Sequence, residues 1–210
     1  MLCKDPFIVH PNTFNLIQEL QSLDFLKGFY LVGGTALALK IGHRNSIDID
    51  LFTQDEFNDN ELLENLLEKF DLNLIYNRKN TIVCSINEVK TDFIRHNYPL
   101  INNPITEEGI TYLSLEDICA MKLHAIQNSG KRLKDFIDIY FLLEHFSLNQ
   151  MLGFYEIKYK YSNKLIALRA INYFDDIDPS IDPPVLKNSI SIAKIQKRIQ
   201  EATLHGNKKF

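Results

Sequence analysis

Cysteine is scarce in this 210-residue chain: Cys3, Cys84 and Cys119 are the only three, and they lie far apart. Their spacing excludes a metal finger, and Cys84 and Cys119, set in apolar runs, read as reduced core thiols. No window approaches eighteen successive apolar residues, which excludes a membrane-crossing helix. The start, Met1-Leu-Cys-Lys-Asp-Pro6, lacks the apolar centre of a secretory signal. Internal repeats and low-complexity tracts are absent too. These absences point to a cytoplasmic globular chain with no membrane partner. With 45% hydrophobic and 24% charged residues, one domain or two closely packed subdomains are expected. A division into 1–110 and 111–210 fits the loop signals near residues 99–111.

Positive charge is short in the first part. Residues 1–110 carry 9 Lys and Arg against 16 Asp and Glu, a net of −7. Residues 111–210 carry 14 against 11, a net of +3. Such a division suits a metal site in one half and a polyanionic acceptor on the other, or ordinary surface variation.

What is present centres on residues 30–53. An apolar run, 29–32, reads as a strand. Gly33 and Gly34 break it, Thr35 opens a helix over 36–41, and Gly42 closes it, a position that favours positive φ. Ile47, Ile49 and Leu51 then alternate with Asp48 and Asp50, so a strand would place both carboxylates on one face. Like charges so placed repel unless a cation neutralises them. Hard oxygen ligands on a rigid element suit Mg²⁺, with Mn²⁺ as an alternative, and two ions fit a phosphoryl-transfer site. Gly33-Gly34-Thr35 offers backbone N–H groups at a helix N-terminus, where phosphate binds. Either fragment alone reads as a turn or a solvated strand face. Together, in strand–turn–helix–strand order, they read as a metal–nucleotide site.

Gly-Gly-Thr followed by Asp-Ile-Asp resembles the signature of the polymerase-beta nucleotidyltransferase superfamily. The longer pattern, Gly-Gly-Thr-Ala-Leu-Ala-Leu with Gly-His-Arg-x-Ser-x-Asp-Ile-Asp-Leu-Phe, is similar to the AbiEii/AbiGii toxin nucleotidyltransferases, which include the MenT-type toxins. The resemblance implies an α+β fold: a nucleotidyltransferase core with a small mixed sheet and a helical C-terminal subdomain. It favours contact of Arg44 and Ser46 with a triphosphate. His43, in the same loop, reads as a solvent-facing residue.

Helical spacing marks 13–26, with Thr13 as its cap, and an acidic amphipathic helix within 55–71. Three strand-like runs, 72–76, 81–86 and 89–96, are joined by short polar links and read as an antiparallel meander. In the last of them Lys90, Asp92 and Ile94 share a face. Alone, Asp92 reads as a solvated strand residue. With the upstream motif it becomes the third carboxylate a polymerase-type site needs, and Val-Lys-Thr-Asp-Phe-Ile resembles the family's strand. A short strand is expected at 110–113, then a capping box at Ser114 and Asp117.

On the helix that follows, Lys122 falls on the apolar stripe of Leu115, Ile118, Cys119 and Ile126. A lysine there must meet a functional anion or a carboxylate partner. The next helix, 135–144, is apolar nearly all round, so Asp135 and Asp138 are expected near Lys122 or Lys134. That arrangement is a buried lock, an active-site group, or both. The resemblance gives Lys122 a part in nucleotide handling and places Asp135 at the active site. Two helices are expected across 148–173. There Lys158, Lys160, Lys164 and Arg169 interleave with Tyr155, Tyr159 and Tyr161. This pattern suits RNA or a surface helix with a tyrosine-lined core face. An acidic, proline-rich connector at 175–184, a basic helix over 185–204 and a loose tail complete the chain.

The expected reaction moves an NMP from an NTP to an acceptor hydroxyl. Asp48, Asp50 and Asp92 would bind metal, and Gly33, Gly34, Thr35, Arg44, Ser46 and Lys122 would bind nucleotide. From the resemblance, the acceptor is RNA, at the 3′ end of tRNA, and the role is that of a toxin with a cognate antitoxin. Alternatives are a protein hydroxyl, on a partner or on the chain itself, and a non-catalytic nucleotide- or antitoxin-binding module.

Overall fold

The computed structural model describes residues 1–210. The chain forms two compact units. One comprises Met1–Gly42, Ser46–Pro99 and Asn103–Leu113; the other comprises His43–Asn45, Leu100–Asn102 and Ser114–Phe210. The fold class is α+β.

In the first unit the apolar alternation builds seven strands: β1 (Tyr30–Leu31), β2 (Ile49–Thr53), β3 (Leu72–Arg78), β4 (Thr81–Ile86), β5 (Val89–Arg95), β6 (Ile105–Glu107) and β7 (Ile110–Tyr112). They form one mixed sheet in the order β3-β4-β5-β2-β1-β7-β6. β2 runs parallel to β5, and β1 parallel to β7; the other pairs are antiparallel. The expected meander is β3-β4-β5. β3 lies at the edge, bulges between Leu74 and Tyr76, and leaves both of those residues exposed. Ile49, Leu51, Ile82, Cys84 and Phe93 are fully buried, so the pleat sends its apolar residues into the core.

Three helices belong to this unit: α1 (Pro11–Gln21), α2 (Gly33–Ile41) and α3 (Asp59–Leu67). α1 starts earlier than Thr13. Pro11 fixes φ in the first turn, and His10 caps it by accepting from the Asn12 N–H. Thr13 is buried instead. A short 3₁₀ turn, Asp24–Leu26, follows separately. α2 ends on Gly42 at φ 64°, the expected left-handed stop. β2 begins only at Ile49, and Ile47 is exposed rather than packed, so Asp48 sits on the approach to the strand.

The second unit is helical: α4 (Leu115–Asn128), α5 (Leu133–Leu142), α6 (Leu148–Lys158), α7 (Lys164–Ile171) and α8 (Ile192–Leu204). Its core includes Ile118, Cys119, Leu123, Phe136, Ile139, Leu142, Met151, Tyr155, Ile171, Ile195 and Ile199. Two short segments join it through buried polar bonds. Asp117 accepts from the N–H groups of Ile101 and Asn102, from the Ser114 hydroxyl and from Lys158. Arg44 is tied to Asp138. The basic–aromatic pattern of 155–169 is divided: Lys158, Tyr155 and Tyr159 are buried, Lys164 is half-buried, and Lys160, Tyr161 and Arg169 stay exposed. The C-terminal tail is not loose. The Phe210 N–H donates to the Leu143 carbonyl, and Gly206 accepts from the Asn149 N–H.

Candidate active site

In the first unit, the parallel pairing of β2 with β5 sets Asp50 directly opposite Asp92. Neighbouring strands lie about 4.8 Å apart, so these carboxylates are side by side on one face. Asp48 lies two residues before Asp50. α2 begins at the end of β1, and Val32 donates its N–H to the Asp50 carbonyl at 2.9 Å. Gly33 has φ +69°, and a Cβ there would collide with Asp50 Oδ2. Only glycine lets the backbone turn this close to the carboxylate. Val32 places no side-chain cap on the first turn of α2, which leaves the Gly33-Gly34-Thr35 N–H groups without a side-chain acceptor there.

Thr35 and Ser46, expected to touch nucleotide, are 1% and 6% exposed. Thr35 Oγ1 donates to the Asp48 carbonyl and shares a bond with Ser46 Oγ at 2.9 Å. Their hydroxyls thus fasten the approach to β2 onto α2 and fix where Asp48 sits.

The carboxylates are under-neutralised. Lys90 Nζ lies 3.3 Å from Asp92 Oδ2, and the other oxygen, Asp92 Oδ1, is buried without a partner. Burial pushes the Asp92 carboxyl above its ordinary range, and the Asp48 charge adds to that; Lys90 opposes it. Burial would lower the Lys90 ammonium, but the charges of Asp92, Asp48 and Asp50 outweigh it and raise it. As the side chains stand, no three acidic, imidazole or thiolate groups converge closely enough to hold an ion. The donor set nonetheless fits a hard divalent cation: three neighbouring carboxylates, one of them, Asp92, with a buried oxygen lacking any partner.

The second unit holds a different cluster. Asp138 is fully buried. Arg44 donates to it from Nε at 2.7 Å and Nη2 at 2.9 Å, and His43 Nε2 lies 2.7 Å from Oδ1. Lys122 Nζ lies 2.8 Å from both Asp138 Oδ2 and Asp135 Oδ1. Burial alone would raise the Asp138 carboxyl; the Arg44 and Lys122 charges and the bonds from His43 and Arg44 hold it well below its ordinary value. Burial lowers His43 despite Asp138, so it is neutral here. Arg44, expected on a triphosphate, is 2% exposed with its donors on Asp138 and the Asn45 carbonyl. His43 is not solvent-facing: its side chain is 1% exposed. The signal for its burial was present in Asp138, a carboxylate on a helix apolar all round, which needs several donors.

Lys122 and Asp135 are therefore brought together, as are Asp48, Asp50 and Asp92. Lys90, two residues before Asp92 on one strand face, carries a charge at this site that its sequence position alone makes visible.

No helix is long and apolar enough to cross a membrane. An uncharacterized protein of Aquifex aeolicus (strain VF5) is 31% identical over 166 residues, 76% of this chain and 80% of that protein. A candidate nucleotidyltransferase from H. pylori matches with TM-score 0.58 at 15% identity, over 93% of this chain and 96% of its own. MenT4, a nucleotidyltransferase toxin of Mycobacterium tuberculosis H37Rv, matches with TM-score 0.58 at 16% identity, over 90% and 80%. At these identities the structures share the fold. The model of the nucleotidyl transferase AbiEii toxin of type IV toxin–antitoxin systems matches residues 16–100 and 81–201. The chain belongs to this AbiEii family of nucleotidyltransferase toxins.

Proposed function

We propose that this nucleotidyltransferase moves an NMP from an NTP to an RNA hydroxyl, at the 3′ end of tRNA, in a Mg²⁺-dependent reaction, and that it acts as a toxin paired with a cognate antitoxin. The register of Asp50 against Asp92, beside the Gly33 turn, is the observation that carries this reading. The Gly33 and Gly34 N–H groups bind a phosphate at the head of α2. Asp48, Asp50 and Asp92 are the ligands for Mg²⁺, with Mn²⁺ as an alternative. When bound, the metal supplies Lewis-acid charge at the phosphates and at the acceptor oxygen. Asp92, paired by register with Asp50, also accepts the proton of the attacking hydroxyl. That oxygen forms a bond to the α-phosphorus, and the bond to pyrophosphate breaks. Thr35 and Ser46 position Asp48 through their hydroxyls. Lys122 and Asp135 are assigned to nucleotide handling, with Lys122 held by Asp138. Exposed Lys160, Tyr161 and Arg169 suit a single-stranded RNA end, cations for phosphates and a ring for a base.

The test is incubation with each of four α-labelled NTPs, Mg²⁺, and either deacylated tRNA or protein from a lysate. Label in tRNA, lost in Asp50→Asn, is the expected result. Label in protein alone would move the acceptor to a protein hydroxyl. No transfer under any condition, with cellular toxicity retained in Asp50→Asn, would favour a non-catalytic module.

A further inference from the structure

Lys90 has no part in the mechanism above, yet its ammonium is paired with Asp92 and coupled to Asp48 and Asp50. It projects from β5 on the same strand face as Asp92, two residues on, and its Nζ lies 3.3 Å from Asp92 Oδ2. Its charge is felt by Asp48 and Asp50 as well. The formal charges of Asp48, Asp50, Asp92 and Lys90 sum to −2, so these four groups together favour an added cation. The second oxygen of Asp92 remains buried and unpartnered, so Lys90 satisfies the cluster only in part. The Lys90 side chain is 49% exposed, and a lysine stem of that kind can carry its head out to water.

We propose that Lys90 is a displaceable internal counter-ion: it partly neutralises the Asp48–Asp50–Asp92 cluster, whose placement comes from the pairing of β2 with β5, before a divalent ion arrives, and it withdraws when the ion binds. This rests on the metal-binding reading of the three carboxylates. Two positive groups cannot share these ligands without repulsion, so Lys90 competes with the ion and weakens its binding. Lys90 is thus a positioning residue that sets metal affinity. Its removal strips the repulsion and leaves every carboxylate in place. Arginine at the same position keeps the charge and keeps the competition.

The experiment is direct Mn²⁺ titration of the full chain without nucleotide, followed by the paramagnetic resonance of free Mn²⁺. Lys90→Met and Lys90→Gln are expected to bind Mn²⁺ about tenfold tighter than the parent, and Lys90→Arg no tighter than the parent. Unchanged or weaker binding in both neutral variants overturns the proposal. Two substitutions guard against a misfolded variant, and melting curves show which one to use. Asp50→Asn and Asp92→Asn separate the failures. If neither weakens Mn²⁺ binding, the metal reading itself falls. If both weaken it while Lys90→Met does not strengthen it, only the role of Lys90 falls. A second readout follows the ammonium itself. Acylation of Lys90 by an amine-reactive ester, read by peptide mass spectrometry, should increase severalfold on adding Mg²⁺ to the parent and stay flat in Asp92→Asn. Labelling that falls or does not change in the parent overturns displacement.

Discussion

Two charged clusters in this chain are made from the same residue types and end in opposite conditions. In the helical unit, Arg44 and Lys122 face Asp135 and Asp138, and the formal charges cancel. Every Asp138 oxygen is engaged and the carboxyl is held far below its ordinary value. In the sheet unit, Lys90 pairs with Asp92 beside Asp48 and Asp50. One oxygen is buried without a partner, and burial raises the Asp92 carboxyl. Balance makes a lock, because removing any member strands a buried charge. Imbalance suits a site, because a cation from outside would complete it. The comparison also explains why Arg44, a residue of the motif loop, is better understood as a structural donor than as a phosphate contact.

Removing one carboxylate from each cluster should have opposite effects. Asp50→Asn should abolish nucleotidyl transfer, by about 10³-fold or more, since metal-borne charge stabilisation is worth several kcal/mol. Its melting temperature should hold or rise, because a like-charge contact is relieved. A matching loss of stability would place Asp50 among structural residues. Asp138→Ala should do the reverse in kind. It leaves Arg44 and Lys122 buried with Asp135 alone, and should cost about 3 kcal/mol of unfolding free energy in urea melts. The pH dependence has a definite sign. The Asp138 carboxyl is lowered in the folded state from an ordinary value of 3.8, so its stabilisation is present above that value and is lost as pH falls below it toward the folded value. The parent should lose stability across that acid range, and Asp138→Asn should lose less.

The unequal legibility of the two clusters has the same physical origin. Asp48 and Asp50 could be picked out from sequence because their signal is local, two carboxylates at period-two spacing after a glycine turn; Asp92, which alone read as a solvated strand residue, was singled out only with that motif in hand. Their register across β2 and β5 was not readable, since nothing in either strand states its neighbour. The lock was half-legible. Lys122 on an apolar stripe demanded a carboxylate, and α5 offered two. His43 was misplaced because a polar loop residue is buried only when a distant acceptor makes it worthwhile, and Asp138 lies 95 positions away. Lys158 and Tyr155 resembled an RNA-binding stripe for the same reason: Asp117, on another helix, is what makes a buried Lys158 tolerable. β6 was read as loop because three residues carry no period, and its pairing with β7 alone makes it a strand.

Smaller effects test how the sheet-unit site is supported. Gly33→Ala should cost about 1–2 kcal/mol of stability, the penalty of a left-handed conformation for an L side chain, and should also lower activity by pushing on Asp50. A stable, fully active Gly33→Ala would mean that the turn relaxes and that the close approach has no function.

The smallest effect distinguishes a staple from a ligand. Thr35→Val keeps the shape of the side chain and deletes its hydroxyl, which bonds Ser46 and the Asp48 carbonyl. A single buried hydrogen bond contributes about 1 kcal/mol, so the melting curve should fall by a few degrees. If Thr35 acts only by holding Asp48, Mn²⁺ affinity should weaken while the KM for NTP at saturating metal stays unchanged. If the hydroxyl touches the triphosphate, as the sequence first suggested, KM should rise even at saturating metal. The hydroxyl is 1% exposed at the residue level and already bonded on two sides, so the first outcome is the expected one. It would extend the contrast between the clusters: in the sheet unit the neutral hydroxyls are structural and the charges are left for the ligand, whereas in the helical unit the Arg44–Asp138 charges are themselves structure.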